Sequence, residues 1–594
     1  MTVRYTVVPA NPREHLFAVR CELADADPAG QVFRLPSWIR GSYLVRDFAK
    51  HVVSLMASSQ GRPVAIERLD KRSFRCAPVS GPLQLDYTVY AFDESVRKAW
   101  LDRRRGFFNG SSLFYCPQGR ERGAFEVSIL RPEDPECTGW RVATSLAAVT
   151  VDADGFGRYQ SPDYEDLIDH PVELGTFERL DFDVDGVPHA LVLSGRVELD
   201  RARVVRDLAK ICHVERELFG QEPALSQYLF LTNVVGAGYG GLEHRSSTAL
   251  ICSRGDFPRE NDARLSRDYR TFLGLCSHEY FHLWNVKRIT AASFLDSDLG
   301  AEAYSRDLWH YEGVTSYYDD LFLLRAGIFD AEAYLDLVAE HATRLERAPG
   351  RRLQTLADAS FEAWIKYYQP DENAANQAVN YYVKGALVAL CLDLRLRRDS
   401  AVTLDDVLRA LWRDYGARGI GVPEGELERV AQTLSGLDLR EFFDQALRST
   451  DELPLAALLA DFGVRAHKRV AVSDSDAGGR VSGTALTVGI GCKLRAGETR
   501  VAQILGDSAA ARAGLSVNDH LVAVDGLRIT PANWNARLQA LQPGRVYELH
   551  VFRNDELLRL SLQAEAASAD TWTLTLEGQA TGTVLARRQS WLGA

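Results

Sequence analysis

The chain has 594 residues, 46 % of them hydrophobic and 25 % charged, which marks a folded globular protein of roughly three or four domains and excludes a disordered one. A net charge of −12 excludes a general nucleic-acid binder, because neutralising phosphates takes clustered Lys and Arg. Nine cysteines, scattered from Cys21 to Cys492 without close pairs, read as reduced thiols and not as a disulfide framework.

The opening "MTVRYTVVPANPREHLFAV" lacks a basic stretch followed by a long apolar run, and no segment approaches the ~20 apolar residues of a membrane span. A cytoplasmic protein with no membrane and no nucleic-acid partner is the expectation. From Thr2 to about Asp185 the signals are short and strand-like. "RYTVVPA", "HLFAVRCELA", "LQLDYTVYAF", "AFEVSIL" and "RVATSLAAVTV" set β-branched and aromatic residues between Gly, Pro and Asp turns. A β-rich N-terminal domain over residues 1–190 is therefore expected. Helical spacing takes over between about Arg201 and Leu459, as in "RARVVRDLAKICHVERELFG", "YRTFLGLCSHEYFHLW" and "VKGALVALCLDLRLRRD". This predicts a mainly α-helical domain over 191–472, with a small sheet near "YLFLTNVV". The Asp-, Ser- and Gly-rich "SDSDAGGRVSG" reads as a linker into a third module over 484–566, with short strands around one helix, followed by a tail over 567–594 that docks on the body. The fold class so read is multidomain α+β.

Chemistry concentrates in "CSHEYFHLWNVKRI". On a helix, His278 and His282 lie one turn and about 40° apart, so both imidazoles can reach one ion. Glu279 sits about 100° further round, beside such an ion, where a carboxylate takes a proton from the attacking water. "LWNVKRI" follows without Pro, which predicts that the helix continues. A catalytic zinc needs a third protein ligand and an open position. Glu312 in "DLWHYEGVTSYYDD" is the best candidate, on a second helix packed face to face with the first. Glu302 competes from nearer the loop, and His310 is a weaker choice because its expected face differs. Asp319, on the face of Glu312, reads either as a hydrogen-bond support for a ligand histidine or as a solvated charge.

"HEYFHLWNVKRI" with "WHYEGVTSYY" resembles the glutamate-zincin aminopeptidases, most closely the glycyl aminopeptidase family, whose catalytic domain is thermolysin-like. The resemblance implies that "GYGGLEHRSST" binds a substrate's free amine, with Glu243 on the ammonium and Gly240 and Gly241 admitting the peptide backbone. It implies that Tyr382 in "NYYVKGALVAL" is the oxyanion donor, with Tyr381 the adjacent alternative. "LPSWIRGSYLVRDFAKHV" matches a segment of that family's β domain, and "GFFNGSSLFY" does so more loosely; both read as structural, lining the edge of the cleft.

"ETRVAQILGDSAAARAGLSVNDHLVAVDGLRI" resembles a PDZ domain, with "VGIGCKL" standing where the carboxylate-binding loop would be. Its groove takes either a peptide or the protein's own chain. Together these readings predict an aminopeptidase with one Zn²⁺ per chain, acting on peptides with a free N-terminus. The family resemblance implies a preference for small first residues such as Gly and Ala. Two other readings stay open: a PDZ-assisted metalloendopeptidase, and a non-enzymatic peptide-binding adaptor with a vestigial metal site.

Overall fold

Apolar and polar residues alternate along Val3–Asn11, so that Val3, Tyr5 and Val7 are buried while Arg4 is exposed. In the computed structural model, which describes residues 2–220, 223–295, 297–580 and 582–593, this strand lies inside an eight-stranded sheet. The strands run in the order Ala147–Val151, Gly157–Ser161, Phe125–Ile129, Val3–Asn11, Leu16–Leu23, Leu83–Tyr90, Val52–Ser59 and Arg62–Val64. Two four-stranded sheets complete this β-rich region. Close packing divides the chain into two units, one of Met1–Ala303 with Trp412–Val422, the other of Tyr304–Leu411 with Pro423–Ala594.

The first unit also holds a five-stranded sheet, ordered Glu178–Val184, Val187–Ser194, Tyr228–Val235, Ser247–Ser253 and Tyr239–Glu243. It is larger than the small sheet expected near "YLFLTNVV", and its strand Val187–Ser194 runs through residue 190, where the sequence suggests a boundary. Tyr228–Val235 is mostly apolar and buried on both faces, as suits a central parallel strand. Tyr239–Glu243 pairs antiparallel with Ser247–Ser253 and forms the edge. The helix Arg267–Phe281 starts at Ser266, whose hydroxyl accepts the Tyr269 N–H at 3.0 Å. It ends at His282, earlier than the absence of Pro suggests. The Val286 and Lys287 amides both turn back to the His282 carbonyl, closing the chain into turns. Ser277 donates to Glu215 on the helix Arg201–Phe219 at 2.8 Å, which fixes its rotation.

The second unit is helical around Tyr381–Asp399, whose residues from Val383 to Leu394 are all buried. The turn Trp309–Val314 is a π-helical one that leads into the helix Thr315–Arg325. It crosses Tyr381–Asp399 at two glycines. A Cβ on Gly313 would stand 2.5 Å from the Gly385 Cα, and a Cβ on Gly385 would stand 2.8 Å from the Gly313 Cα. Only two hydrogens let the backbones meet there.

Beyond these helices Val464–Arg469 pairs antiparallel with Thr571–Leu576. The Arg588 guanidinium in the helix Thr583–Leu592 donates to the Phe462 and Gly463 carbonyls. Between the two strands lies a small module with its own buried core, which includes Val488, Val501, Leu521, Trp534 and Leu549. It contains two short helices, Ala509–Arg512 and Trp534–Ala540, where the sequence suggests one. All nine cysteines are free thiols, and eight of them are buried. Among the described residues no helix is long and apolar enough to cross a membrane.

Candidate metal and peptide site

In the first unit the His278 and His282 rings stand 4.6 Å apart and nearly perpendicular, at 89°. The His282 Nδ1 lies 2.6 Å from the Asn285 carbonyl. A carbonyl can only accept, so Nδ1 carries the proton and the Nε2 lone pair is left to ligate. The turn that ends the helix therefore sets this tautomer, and the donor chemistry fits a divalent ion of the zinc class. Donor atoms of Glu243, Glu279 and His282 lie within 4.8 Å of one another, all three residues buried. Buried carboxylates so close together favour cations and proton traffic.

The edge strand brings its glycines and its acid to this centre. A Cβ on Gly241 would overlap the Glu279 carboxylate, so the strand can lie against that residue only without a side chain. Gly240 meets no such obstacle; its φ of +156° is what a side chain would strain. Glu243 is buried at the end of the same strand.

Two further residues reach this strand, and sequence reasoning gave neither a role here. Arg97 donates to the Gly241 carbonyl at 3.1 Å. Gly41, with φ +91°, faces the Glu243 carboxylate so closely that a Cβ there would overlap it. Its segment is tied down by the Trp38 indole N–H on the Ala301 carbonyl at 2.8 Å and by Arg40 on the Phe294 carbonyl. The "WIRGSY" segment thus holds a carboxylate in place. The sequence marks this segment as structural, at the edge of the cleft, but does not show that Gly41 faces Glu243.

In the second unit Glu312 is buried within the π-helical turn. Tyr382 lies in the first turn of the crossing helix, half-buried, while Tyr381 at its start is fully buried. Burial raises the Tyr382 phenol well above its ordinary pKa, and the Glu312 charge adds to this, so the hydroxyl keeps its proton. Tyr382 and Tyr368 hydroxyls lie 3.0 Å apart. His310 is buried and stacked on Tyr311 at 4.5 Å, and burial lowers its pKa to about 3. Among the described residues, neither it nor the exposed Glu302 joins a group of donors able to hold an ion. Asp319 is half-buried, and its charge acts on His341.

Lys384, two residues beyond Tyr382, is 2 % exposed, and burial lowers its pKa to about 8 from 10.5. The unfolded chain therefore binds the extra proton between those values, and stability rises as pH climbs through that window. Lys384→Met should remove most of this slope and stabilise the protein at pH 7 by roughly 2–3 kcal/mol. Urea unfolding midpoints at pH 7 and pH 10 check it; an unchanged slope refutes it.

Residues 4–176 match the peptidase M61 N-terminal domain, and residues 271–388 match the M61 glycyl aminopeptidase domain. A crystal structure of an aminopeptidase N family protein from Idiomarina loihiensis is 38 % identical, covers 99 % of this chain and 100 % of its own, and superposes with a TM-score of 0.95. An M1 zinc metallopeptidase from Deinococcus radiodurans is 14 % identical, covers 77 % of this chain and 95 % of its own, with a TM-score of 0.48. No protein of curated function matches.

Proposed function

Because the chain belongs to the M61 glycyl aminopeptidase family, an aminopeptidase family, we propose that it is a zinc enzyme removing the first residue from peptides with a free N-terminus. The observation that carries this reading is the edge strand Tyr239–Glu243, which delivers a buried carboxylate to within 4.8 Å of the donor atoms of Glu279 and His282. A peptide added to that strand would meet Glu243 with its ammonium, and a longer N-terminal extension would have to displace the carboxylate.

The family match over 271–388 supports assigning His278, His282 and Glu312 as the ligands: two imidazoles and one carboxylate would hold a zinc ion and leave its fourth position to water. Such an ion lowers the pKa of a water toward about 7 and polarises the peptide carbonyl. Glu279 takes the proton of the attacking water and passes it to the leaving amine. The Tyr382 hydroxyl donates to the oxyanion of the tetrahedral intermediate, and Tyr382 is favoured over Tyr381 because it is not wholly enclosed. The family description supports a preference for glycine and other small first residues. Free buried thiols support a reducing, cytoplasmic setting. The small module is assigned on sequence pattern as a PDZ-like peptide or self-chain binding element; of its expected loop Val488–Leu494, only Ile490 and Gly491 lie outside strands, between Val488–Gly489 and Cys492–Leu494.

Metal analysis beside a panel of aminoacyl reporters tests the reading. Wild-type protein should carry one zinc per chain and favour Gly and Ala reporters, and Glu312→Gln should lose most of the metal. A full metal complement in that variant, with loss in Glu243→Gln, would transfer the third ligand to Glu243. Equal cleavage of N-acetylated peptides would refute the aminopeptidase reading.

A further inference from the structure

The turn Ala363–Tyr367 is π-helical and ends at Tyr368, so it presents two successive tyrosines to the start of the helix Tyr381–Asp399. They do different things there. Tyr367 packs: its ring lies 5.2 Å from that of Tyr382 at 25° and 4.8 Å from that of Tyr381. This wedge sets the plane of the Tyr382 ring. Tyr368 instead brings its hydroxyl to 3.0 Å from the Tyr382 hydroxyl.

A pair of hydroxyls can be connected in two senses, with opposite consequences. If Tyr382 donates to Tyr368, its proton is committed within the protein and cannot reach a substrate oxygen. If Tyr368 donates, the Tyr382 proton is not committed to Tyr368, and the Tyr382 oxygen is polarised by the bond it accepts. As charge builds on the substrate oxygen and the Tyr382 O–H stretches toward it, negative charge grows on the Tyr382 oxygen. An O–H from Tyr368 meets that charge already oriented before the reaction begins.

We propose that Tyr368 is a positioning residue for peptide hydrolysis: it donates its hydroxyl proton to the Tyr382 oxygen, aims the Tyr382 proton at the substrate, and shares the charge that develops there. The proposal rests on the assignment of Tyr382 as oxyanion donor, and its action runs wholly through that residue. It therefore requires that removing Tyr368 costs nothing once Tyr382 is gone.

The test is a cycle of Tyr368→Phe, Tyr382→Phe and the double variant, read as kcat and KM on an alanyl reporter. Tyr368→Phe should lower kcat about tenfold and leave KM within about twofold, because the bond strengthens only in the transition state. Tyr382→Phe should lower kcat by roughly 10²–10³-fold, and the double variant should match it within about twofold. To separate a donor effect from a packing defect, 3-fluorotyrosine at position 368 keeps the ring and acidifies the O–H; its kcat should equal or exceed that of wild type.

An unimpaired Tyr368→Phe beside a crippled Tyr382→Phe would overturn this proposal and leave the Tyr382 assignment standing. So would a double variant showing the product of the two losses, or a fluorotyrosine enzyme as slow as Tyr368→Phe. Full turnover in Tyr382→Phe would overturn both.

Discussion

Glu279→Gln should keep its metal and its fold and lose roughly 10³–10⁴-fold in kcat. The substitution removes a proton acceptor and almost nothing else. Glutamine has the shape of glutamate, and shape matters here because Gly241 lies against this side chain with no room for a Cβ between them. An amide nitrogen has no lone pair to offer, so the attacking water keeps its proton and the leaving amine receives none. Substrate binding should change little, since KM reports contacts made before the proton moves. The measurements are kcat, KM and zinc content on one preparation. Turnover within tenfold of wild type at full metal content would assign the base to another group. The neighbouring Glu243 would be the first to examine, because its donor oxygen lies within 4.8 Å of that of Glu279.

How much of this arrangement can be read from the residues depends on the range of the forces involved. The strands Val3–Asn11 and Leu16–Leu23 are legible because one face of each is buried, and burial imposes a period of two. The helix Arg267–Phe281 is legible through the helical spacing of "YRTFLGLCSHEYFHLW" and illegible at its end. Nothing in "HLWNVKRI" forbids another helical turn; the turn at His282 is a tertiary outcome that also fixes the imidazole tautomer. Glu312 can be picked out by its helical context, yet its π-helical geometry cannot. That geometry accompanies Gly313 meeting Gly385, residues far apart in the chain with no local signature of contact.

The edge strand Tyr239–Glu243 shows the same division. Gly241 and Glu243 share one short motif, so a resemblance finds them together. Arg97 and Gly41 come from the β-rich region and join the motif only through folding. A glycine at φ +91° looks like an ordinary turn until the carboxylate filling the space beside it is seen. The side chains and glycines that hold these residues are therefore the part least visible in sequence, since long-range packing assembles them around residues that are themselves conspicuous.

Glu243→Gln should lower kcat/KM for free-amine dipeptides by roughly 10–10²-fold, the usual strength of one charge-assisted contact, and leave the poor cleavage of N-acetylated peptides unchanged. The selectivity is the point. An ammonium loses an ionic partner, whereas an acetylated nitrogen never had one, so the ratio of the two rates should collapse. Gly41→Ala provides a second route to the same result without touching the acid. Its methyl group claims the space of the Glu243 carboxylate and must push it off its position. The φ of +91° adds about 1 kcal/mol or more of backbone strain, which lowers stability whatever the site does. Strain alone reduces both substrates equally, and displacement of the carboxylate reduces only the free-amine one. The ratio therefore separates them. Equal losses on blocked and unblocked peptides in both variants would strip Glu243 of its ammonium and favour an endopeptidase, for which the cleft must admit chain on both sides of the scissile bond.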